Sequence, residues 1–416
     1  ISPTPWLTER HGYDPTSMKY VIILGDGMAD QPIESLGGRT PLQAAHKPVM
    51  DQMAGRAEQG IAYTVPENLP AGSDVANLAM LGYDPQKYYS GRSPLEALSI
   101  GVDMKDTDVA LRCNFVTLEE DGEYEDKKIT DHSAGEITTE EAEILVQAVK
   151  EALETEEFKF YAGVSYRHLT IWDHRKVVEL TPPHDILGKQ IGEFLPEEER
   201  LKEMMKKSFE ILDHHPVNEE RAKKGLNKAN SIWFWGAGTR PALDQFEGKT
   251  GMKGAMVSAV DLLKGIAVGA QMRNLDVEGA NGGLDTNYKG KAEAALQALL
   301  EKGDDFAYIH VEAPDEMGHQ GNVEHKIQAI EYLDDQVVRI VKEGLEKAGE
   351  DFRMLIGPDH PTPIAIRTHT KDPIPFMIYD SRKSLGSMEE YSEEAAGSTG
   401  LVVEHGYELM NRLLQK

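Results

Sequence analysis

Phe306-Ala307-Tyr308-Ile309-His310-Val311, running on into Glu312-Ala313-Pro314-Asp315-Glu316-Met317-Gly318-His319, is the stretch on which the fold turns. A mostly apolar run of strand length stops just before an Asp/His pair. The run at 352–356 repeats the arrangement before Pro358-Asp359-His360, with His369 a little further on. At the other end of the chain, 19–24 (KYVIIL) stops at Gly25-Asp26-Gly27. Runs that are apolar throughout suit central parallel strands buried on both faces. A fourth strand is expected at 376–379. Helical patterns at 40–59, 289–302, 323–348 and 400–414 intervene, the first opened by Thr40-Pro41 with proline at the first helical position. Strand alternating with helix predicts an α/β sheet.

The middle of the chain reads differently. Residues 109–118 alternate like a half-exposed strand, and 119–128 form a charged turn. Helices are expected at 138–154 and, very polar and solvated, at 196–212. The sequence therefore predicts a discontinuous α/β domain at 1–106 and 248–416, with a separate α+β domain at 107–247 inserted into it. The Gly- and charge-rich stretches 101–108 and 248–254 are the expected hinges. Residues 1–18, polar and Pro-containing, are expected to lie as an extended arm.

A length of 416 residues favours two domains over one core. The net charge of −27 argues against nucleic acid and anionic membranes as partners. A protein this acidic must gather positive charge locally, from metals, Arg and Lys, if it is to bind a phosphate. A single cysteine, Cys113, excludes an internal disulfide and suits a reducing cytoplasm. No apolar stretch approaches membrane-spanning length, and the N-terminus lacks the form of a signal peptide. A cytoplasmic protein is the expectation.

Ligands of open α/β sheets bind beyond the carboxyl ends of the strands. Asp26, Asp315 and Asp359 are all expected there. Asp315 and His319 are four residues apart, one helical turn, and so share a face. Asp359 and His360 are adjacent, so they point apart and can serve two metals. A lone Asp after a strand is usually a cap or turn residue. Three of them, two partnered by His and with His369 to complete the set, point instead to a two-metal centre and phosphoryl chemistry. Ser73, in Leu69-Pro70-Ala71-Gly72-Ser73-Asp74-Val75-Ala76-Asn77, precedes an apolar helical run. As a bare Gly-Ser it reads as an N-cap. At a helix N-terminus beside two metals, its hydroxyl can attack phosphorus. Cationic candidates are His132 in Asp131-His132-Ser133-Ala134-Gly135, Arg167 and His168 in Tyr166-Arg167-His168, Arg240, and Lys264. Trp233 and Trp235 read as core packing, and His214-His215 as surface.

Together these residues resemble the alkaline phosphatase superfamily and, more narrowly, the archaeal-type cofactor-independent phosphoglycerate mutases. The segments that carry the resemblance are Leu24-Gly25-Asp26-Gly27-Met28-Ala29-Asp30, Gly72 to Asn77, Gly91-Arg92-Ser93-Pro94-Leu95-Glu96-Ala97, Tyr166-Arg167-His168, Lys264-Gly265-Ile266-Ala267, Asp315 to His319, and Asp359-His360-Pro361-Thr362-Pro363 through His369-Thr370. The resemblance implies an alkaline-phosphatase-like domain, a mostly parallel sheet flanked by helices, split by an inserted substrate-binding cap. It implies one metal on Asp26, Ser73, Asp359 and His360, and a second on Asp315, His319 and His369. Ser73 would be the phosphorylated nucleophile that moves the phosphoryl group between 3-phosphoglycerate and 2-phosphoglycerate. Two divalent ions (Mn, Zn or Mg) and no organic cofactor are expected, with a small phosphorylated substrate held by His132, Arg167, His168, Arg240 and Lys264. Archaeal members tend to carry several Arg where this chain has Asp131 to Glu136. That segment looks more like a bacterial branch proposed to act as homoserine kinase. Homoserine kinase-like phosphotransfer and simple phosphomonoester hydrolysis are the alternatives. Asp173 and His132 are candidates for the proton shuttle.

Overall fold

In the computed structural model, which describes residues 18–386 and 388–416, the run at Lys19–Gly25 becomes strand β1. Val21, Ile22, Ile23 and Leu24 are all fully buried, as a strand covered on both faces must be. The other strands, in chain order, are β2 (Glu58–Ala62), β3 (Asp108–Leu118), β4 (Ile129–Asp131), β5 (Phe158–Val164), β6 (Arg167–Asp173), β7 (Ser231–Thr239), β8 (Gly254–Val257), β9 (Arg273–Leu275), β10 (Phe306–Val311), β11 (Phe352–Gly357), β12 (Ile374–Asp380) and β13 (Val402–Val403). The expected arm at the N-terminus lies outside the described residues, save for Met18.

Contacts divide the chain into two units, residues 1–89 with 242–416, and residues 90–241. The first is built on an eight-stranded sheet of order β13-β2-β12-β11-β1-β10-β8-β9. β1 lies between β10 and β11, parallel to both. β8 and β9 continue the parallel block. β12 runs antiparallel to β11 and β2, so the strand expected at 376–379 exists but points the other way. The sheet is mostly parallel, as expected. Val21, Ile23, Ala307, Ile309, Met354 and Ile356 pack against Ala292, Leu299, Ala329, Leu333 and Leu345 of the helices on one face. By the two-residue period of a strand, Tyr308 and His310 point to the opposite face, where both are fully buried.

The expected helix at 40–59 is instead two short helices, Pro41–Ala44 and Pro48–Ala54, followed by β2. Proline explains the break. Lys47, ahead of Pro48, is held at φ −133°, ψ 65°, outside the helical region that a following proline disfavours. The carboxylate of Asp334 then accepts from the free Val49 and Met50 amides. The pattern at 323–348 forms two helices, Val323–Leu333 and Arg339–Lys347, joined by a π-turn at Asp334–Val338. That at 400–414 yields β13, a single 3-10 turn at Gly406–Glu408 and a short helix, Leu409–Leu414.

The second unit carries an antiparallel sheet in which β3 pairs with β4, β6 and β7. Partners on both sides make β3 central and buried along most of its length, not half-exposed. The unit begins at Ser90, ahead of the expected boundary at 107, because helix Arg92–Ser99 packs on β3 and β7. The expected hinge at 248–254 is taken up by the helix Phe246–Thr250 and the start of β8. The polar helix, Glu199–Leu212, is not solvated all round, for it buries Leu201, Met204, Met205 and Leu212. Trp233 is core, and His214 is 80% exposed at its side chain. No helix among the described residues is long and apolar enough to cross a membrane.

One buried ion pair ties the loop after β1 to the loop after β11. Lys326 Nζ, with no exposure, reaches Asp30 Oδ2 at 3.0 Å, Thr362 O at 3.0 Å and Ala29 O at 3.3 Å. The same Asp30 oxygen accepts from Ile364 N. Asp30→Ala strands the ammonium in the interior, and should remove about 3–5 kcal/mol of stability. Denaturant unfolding reads this directly; a loss under about 1 kcal/mol would show that the pair does not hold the two loops.

Candidate metal centre

β1, β10 and β11 are neighbours, and each is followed by an acidic residue at the same edge of the sheet. Asp26 follows β1, Asp315 lies in the short helix Ala313–His319 after β10, and Asp359 follows β11. All three are at most 5% exposed. Helix Ser73–Met80 brings Ser73 to the same place as its first residue, with Gly72 and not Ser73 at the N-cap. The serine hydroxyl is therefore not used up in capping.

Imidazoles complete the set, and backbone carbonyls fix which nitrogen of each is free. His360 Nδ1 faces Pro361 O at 3.0 Å, His319 Nδ1 faces Arg367 O at 2.9 Å, and His369 Nδ1 faces Ala71 O at 3.1 Å. A carbonyl only accepts, so each Nδ1 carries the proton and each Nε2 offers a lone pair. Those nitrogens converge. His319 Nε2 and His369 Nε2 are 3.0 Å apart, and each lies 3.2 Å from an oxygen of Asp315. His360 Nε2 lies 3.1 Å from Ser73 Oγ, 3.1 Å from Asp26 Oδ1 and 3.3 Å from Asp359 Oδ2. Asp26 Oδ1 is buried and makes no hydrogen bond in proper geometry. Lone pairs facing lone pairs, with an orphaned buried carboxylate oxygen among them, are what a donor set built for cations looks like. Asp/His ligation of this kind fits divalent ions.

Without cations, protons must take their place. Burial works against the Asp26 carboxylate, as does Asp315, yet His310 and His360 hold it down to about 2. Burial, then the charge of Asp26, pushes Asp359 up to about 7. His360, which burial would lower, is carried up to about 10 by Asp359 and Asp26. The bond to Asp315 lifts His319 to about 9.

The backbone closes tightly around this edge. Gly27 has φ +63°, and a Cβ there would sit 2.4 Å from Thr362 Oγ1 and 2.7 Å from Asp315 Oδ1. Only glycine allows that approach in that conformation. Thr362 Oγ1 donates to Asp315 Oδ1 at 2.5 Å.

The structure thus brings together Asp26, Ser73, Asp315, His319, Asp359, His360 and His369. Lys264, in the same unit, sits on helix Asp261–Gly269, 3.9 Å from Asp276. The other expected residues belong to the second unit, and they part company there. His168 is a correction. Its ring is 4% exposed, packed on Phe115, with Nδ1 accepting from Gly163 N, and burial pushes its pKa down to about 4. It is a core histidine. Arg240 is half exposed and paired with Asp106. Asp173 is bound to Lys105 at 3.0 Å. His132 lies beside His184, whose ring packs edge-on to Trp235. Arg167 lies over the Tyr166 ring.

Several residues escaped sequence reasoning. His310 Nε2 is 2.9 Å from Asp26 Oδ2, and the ligand atoms of Asp26, His310 and Asp359 lie within 4.8 Å of one another. A histidine at the carboxyl end of an apolar strand was the available signal. Lys291 Nζ donates to His310 O, and burial followed by Asp26 pushes the nearby Glu312 up to about 8. In the second unit, Arg112 sits over Trp235, 4.5 Å from the ring centre, and bonds Glu96. It is close enough to Arg92 and Arg167 to feel their charges. The second unit is therefore less poor in clustered Arg than the 131–136 segment suggested.

Comparison with known proteins agrees with this geometry. The family described as 2,3-bisphosphoglycerate-independent phosphoglycerate mutase matches residues 54–218. A protein of that name from Methanosarcina barkeri is 50% identical over 393 residues, 92% of this chain and 97% of its own. A probable one from Geobacter sulfurreducens is 49% identical over 404 residues, covering 96% of this chain and all of the relative. Among solved structures, the cofactor-independent phosphoglycerate mutase of Thermoplasma acidophilum superposes with a TM-score of 0.66 at 28% identity, covering 96% of this chain and 99% of that one. On identity at this level across nearly the whole length, the chain belongs to the 2,3-bisphosphoglycerate-independent phosphoglycerate mutase family.

Proposed function

We propose that this protein interconverts 3-phosphoglycerate and 2-phosphoglycerate through a phosphoserine at Ser73. The observation that carries the reading is Ser73 Oγ standing 3.1 Å from His360 Nε2, among buried carboxylates and at the start of a helix. Asp26, Ser73, Asp359 and His360 would hold one divalent ion, and Asp315, His319 and His369 the other. Mn, Zn and Mg all suit the donors. Bound there, such ions neutralise phosphate charge and lower the pKa of a coordinated hydroxyl.

The protein's own groups do the rest. Ser73 Oγ gives up its proton and forms a bond to phosphorus as the bond from phosphorus to the substrate's C3 oxygen breaks. That oxygen takes a proton. The glycerate turns, its C2 hydroxyl gives up its proton as it forms a bond to phosphorus, the Ser73 Oγ–phosphorus bond breaks, and Ser73 Oγ takes a proton back. Atoms and charge balance with no outside donor. The amides of the first turn of helix Ser73–Met80 favour an anion at that end. Recognition of the substrate's carboxylate calls for cationic side chains. Arg forks match carboxylates best. With one cysteine and a small glycolytic substrate, the reaction belongs in the cytoplasm.

Formation of 2-phosphoglycerate from 3-phosphoglycerate, followed through enolase with manganese supplied, tests the reading. Turnover is expected in the native chain, with a fall of at least about a thousandfold in Ser73→Ala. ATP-dependent phosphorylation of homoserine, or release of free phosphate with no 2-phosphoglycerate, would replace it with the corresponding alternative.

A second expectation follows from the raised imidazoles. His319 and His360, at about 9 and about 10 without cations, are protonated at neutral pH, and a cation must displace those protons. Affinity should therefore rise with pH between roughly 6 and 9, with protons released on binding. Calorimetry in two buffers of different ionisation enthalpy measures the release. Binding with no release would mean that the imidazoles are not ligands.

A further inference from the structure

Tyr308 and Asn77 are fully buried polar residues that the reaction above leaves without a role. Asn77 lies one turn after Ser73. Its Nδ2 donates to Ser73 O at 2.7 Å and to Asp359 Oδ2 at 2.8 Å. Its Oδ1 accepts from the Tyr308 hydroxyl at 2.5 Å. The amide has one possible orientation. The Ser73 carbonyl and a carboxylate can only accept, so the NH2 group must face them and the oxygen must face Tyr308. Both hydrogens and the carbonyl are then used, and no other side chain of this size supplies two donors and an acceptor in that arrangement.

The lone pairs of Asp359 complete the argument. A carboxylate has about four acceptor positions. Oδ1 accepts from Gly27 N at 3.0 Å and from His360 N at 2.9 Å, and Oδ2 accepts from Asn77. What remains is a single position on Oδ2, the oxygen that lies 3.3 Å from His360 Nε2. The carboxylate cannot rotate to offer another without breaking bonds to two backbone amides and Asn77. Through its second hydrogen, Asn77 also locks the carbonyl of Ser73, and so the first turn of the helix that presents Oγ.

We infer that Tyr308 and Asn77 act in series as positioning residues for one half of the metal centre. Tyr308, held in β10 at the middle of the sheet, orients Asn77, and Asn77 aims Asp359 and Ser73 at a common cation. Asp315, His319 and His369, the other half, are bonded by neither Tyr308 nor Asn77; Thr362 Oγ1 donates to Asp315 Oδ1 and also lies 3.3 Å from His360 Nδ1. The inference rests on the two-cation reading of the site, and not on the identity of the substrate.

Titration of the metal-free full chain with Mn2+, followed by electron paramagnetic resonance of the free ion, separates the two halves. The native chain should take up two equivalents. In Asn77→Leu, which keeps the shape and removes the bonds, one equivalent should weaken by roughly 10- to 100-fold, with the other unchanged. Tyr308→Phe should weaken the same equivalent by less. The double variant should be no weaker than Asn77→Leu alone, as expected of residues acting in series. In the coupled assay kcat should fall more than KM rises.

Equal weakening of both equivalents, no weakening of either, or additive effects in the double variant would overturn the inference. So would a native chain that binds fewer than two ions. If Asn77→Leu fails to fold, Tyr308→Phe carries the test by itself, since a change confined to one equivalent is required of it too. A native chain that binds two ions selectively through these residues but leaves 3-phosphoglycerate untouched would refute the proposed function and leave the relay standing.

Discussion

Three carboxylates buried at one end of the sheet, Asp26 within reach of the charges of both others, are the constraint on which the rest of this structure depends. Asp26, Asp315 and Asp359 are at most 5% exposed, and like charges this close cannot all ionise in a low-dielectric interior without a counter-charge. The fold creates the problem by placing β1 between β10 and β11, so that three parallel strands discharge their acidic residues at one edge. It answers with three imidazoles whose Nδ1 atoms are committed to backbone carbonyls, leaving each Nε2 turned inward. Protons or cations must fill the space between, and the raised pKa values of His319 and His360 measure how strongly the site asks for positive charge. A centre arranged in this way suits divalent ions, because its own donor groups oppose one another without them.

The supports behind the ligands are as particular as the ligands. Gly27 permits an approach that any Cβ would block. Thr362 fixes Asp315, and Lys326 holds the Thr362 carbonyl while pairing with Asp30. Asn77 joins the Ser73 helix to Asp359. These contacts span separations from 36 to 296 residues in sequence, so the site is rigid only when the whole sheet is formed. That couples stability to chemistry. A buried ammonium or amide lost far from phosphorus still loosens the atoms that must be aimed at it.

Charge in the second unit follows the same economy. A chain with a net charge of −27 nonetheless places Arg92, Arg112 and Arg167 within reach of one another's fields. Arg112 tolerates this because Glu96 and the face of Trp235 each offset part of its charge. Trp235 is therefore more than packing. Of the basic residues that sequence alone singled out there, His168 serves the core, and Arg112, hidden inside a strand pattern, had drawn no notice.

The sequence by itself determined the sheet class, the acidic residues at the ends of apolar strands, the spacing that puts Asp315 and His319 on one helical face, and the serine that meets them. Those features are local. A strand run, a helical turn and a Gly-Ser at a helix start are each legible within a dozen residues. The tertiary structure alone decided which strands are neighbours, that β12 runs backwards, that the second unit starts at Ser90, and that His310, Asn77, Thr362 and Lys326 stand behind the ligands. Each of those depends on partners tens to hundreds of residues away, and a single polar residue in an apolar pattern carries no mark of the group it will meet. Periodicity records which way a side chain faces. Only the folded chain decides what it faces.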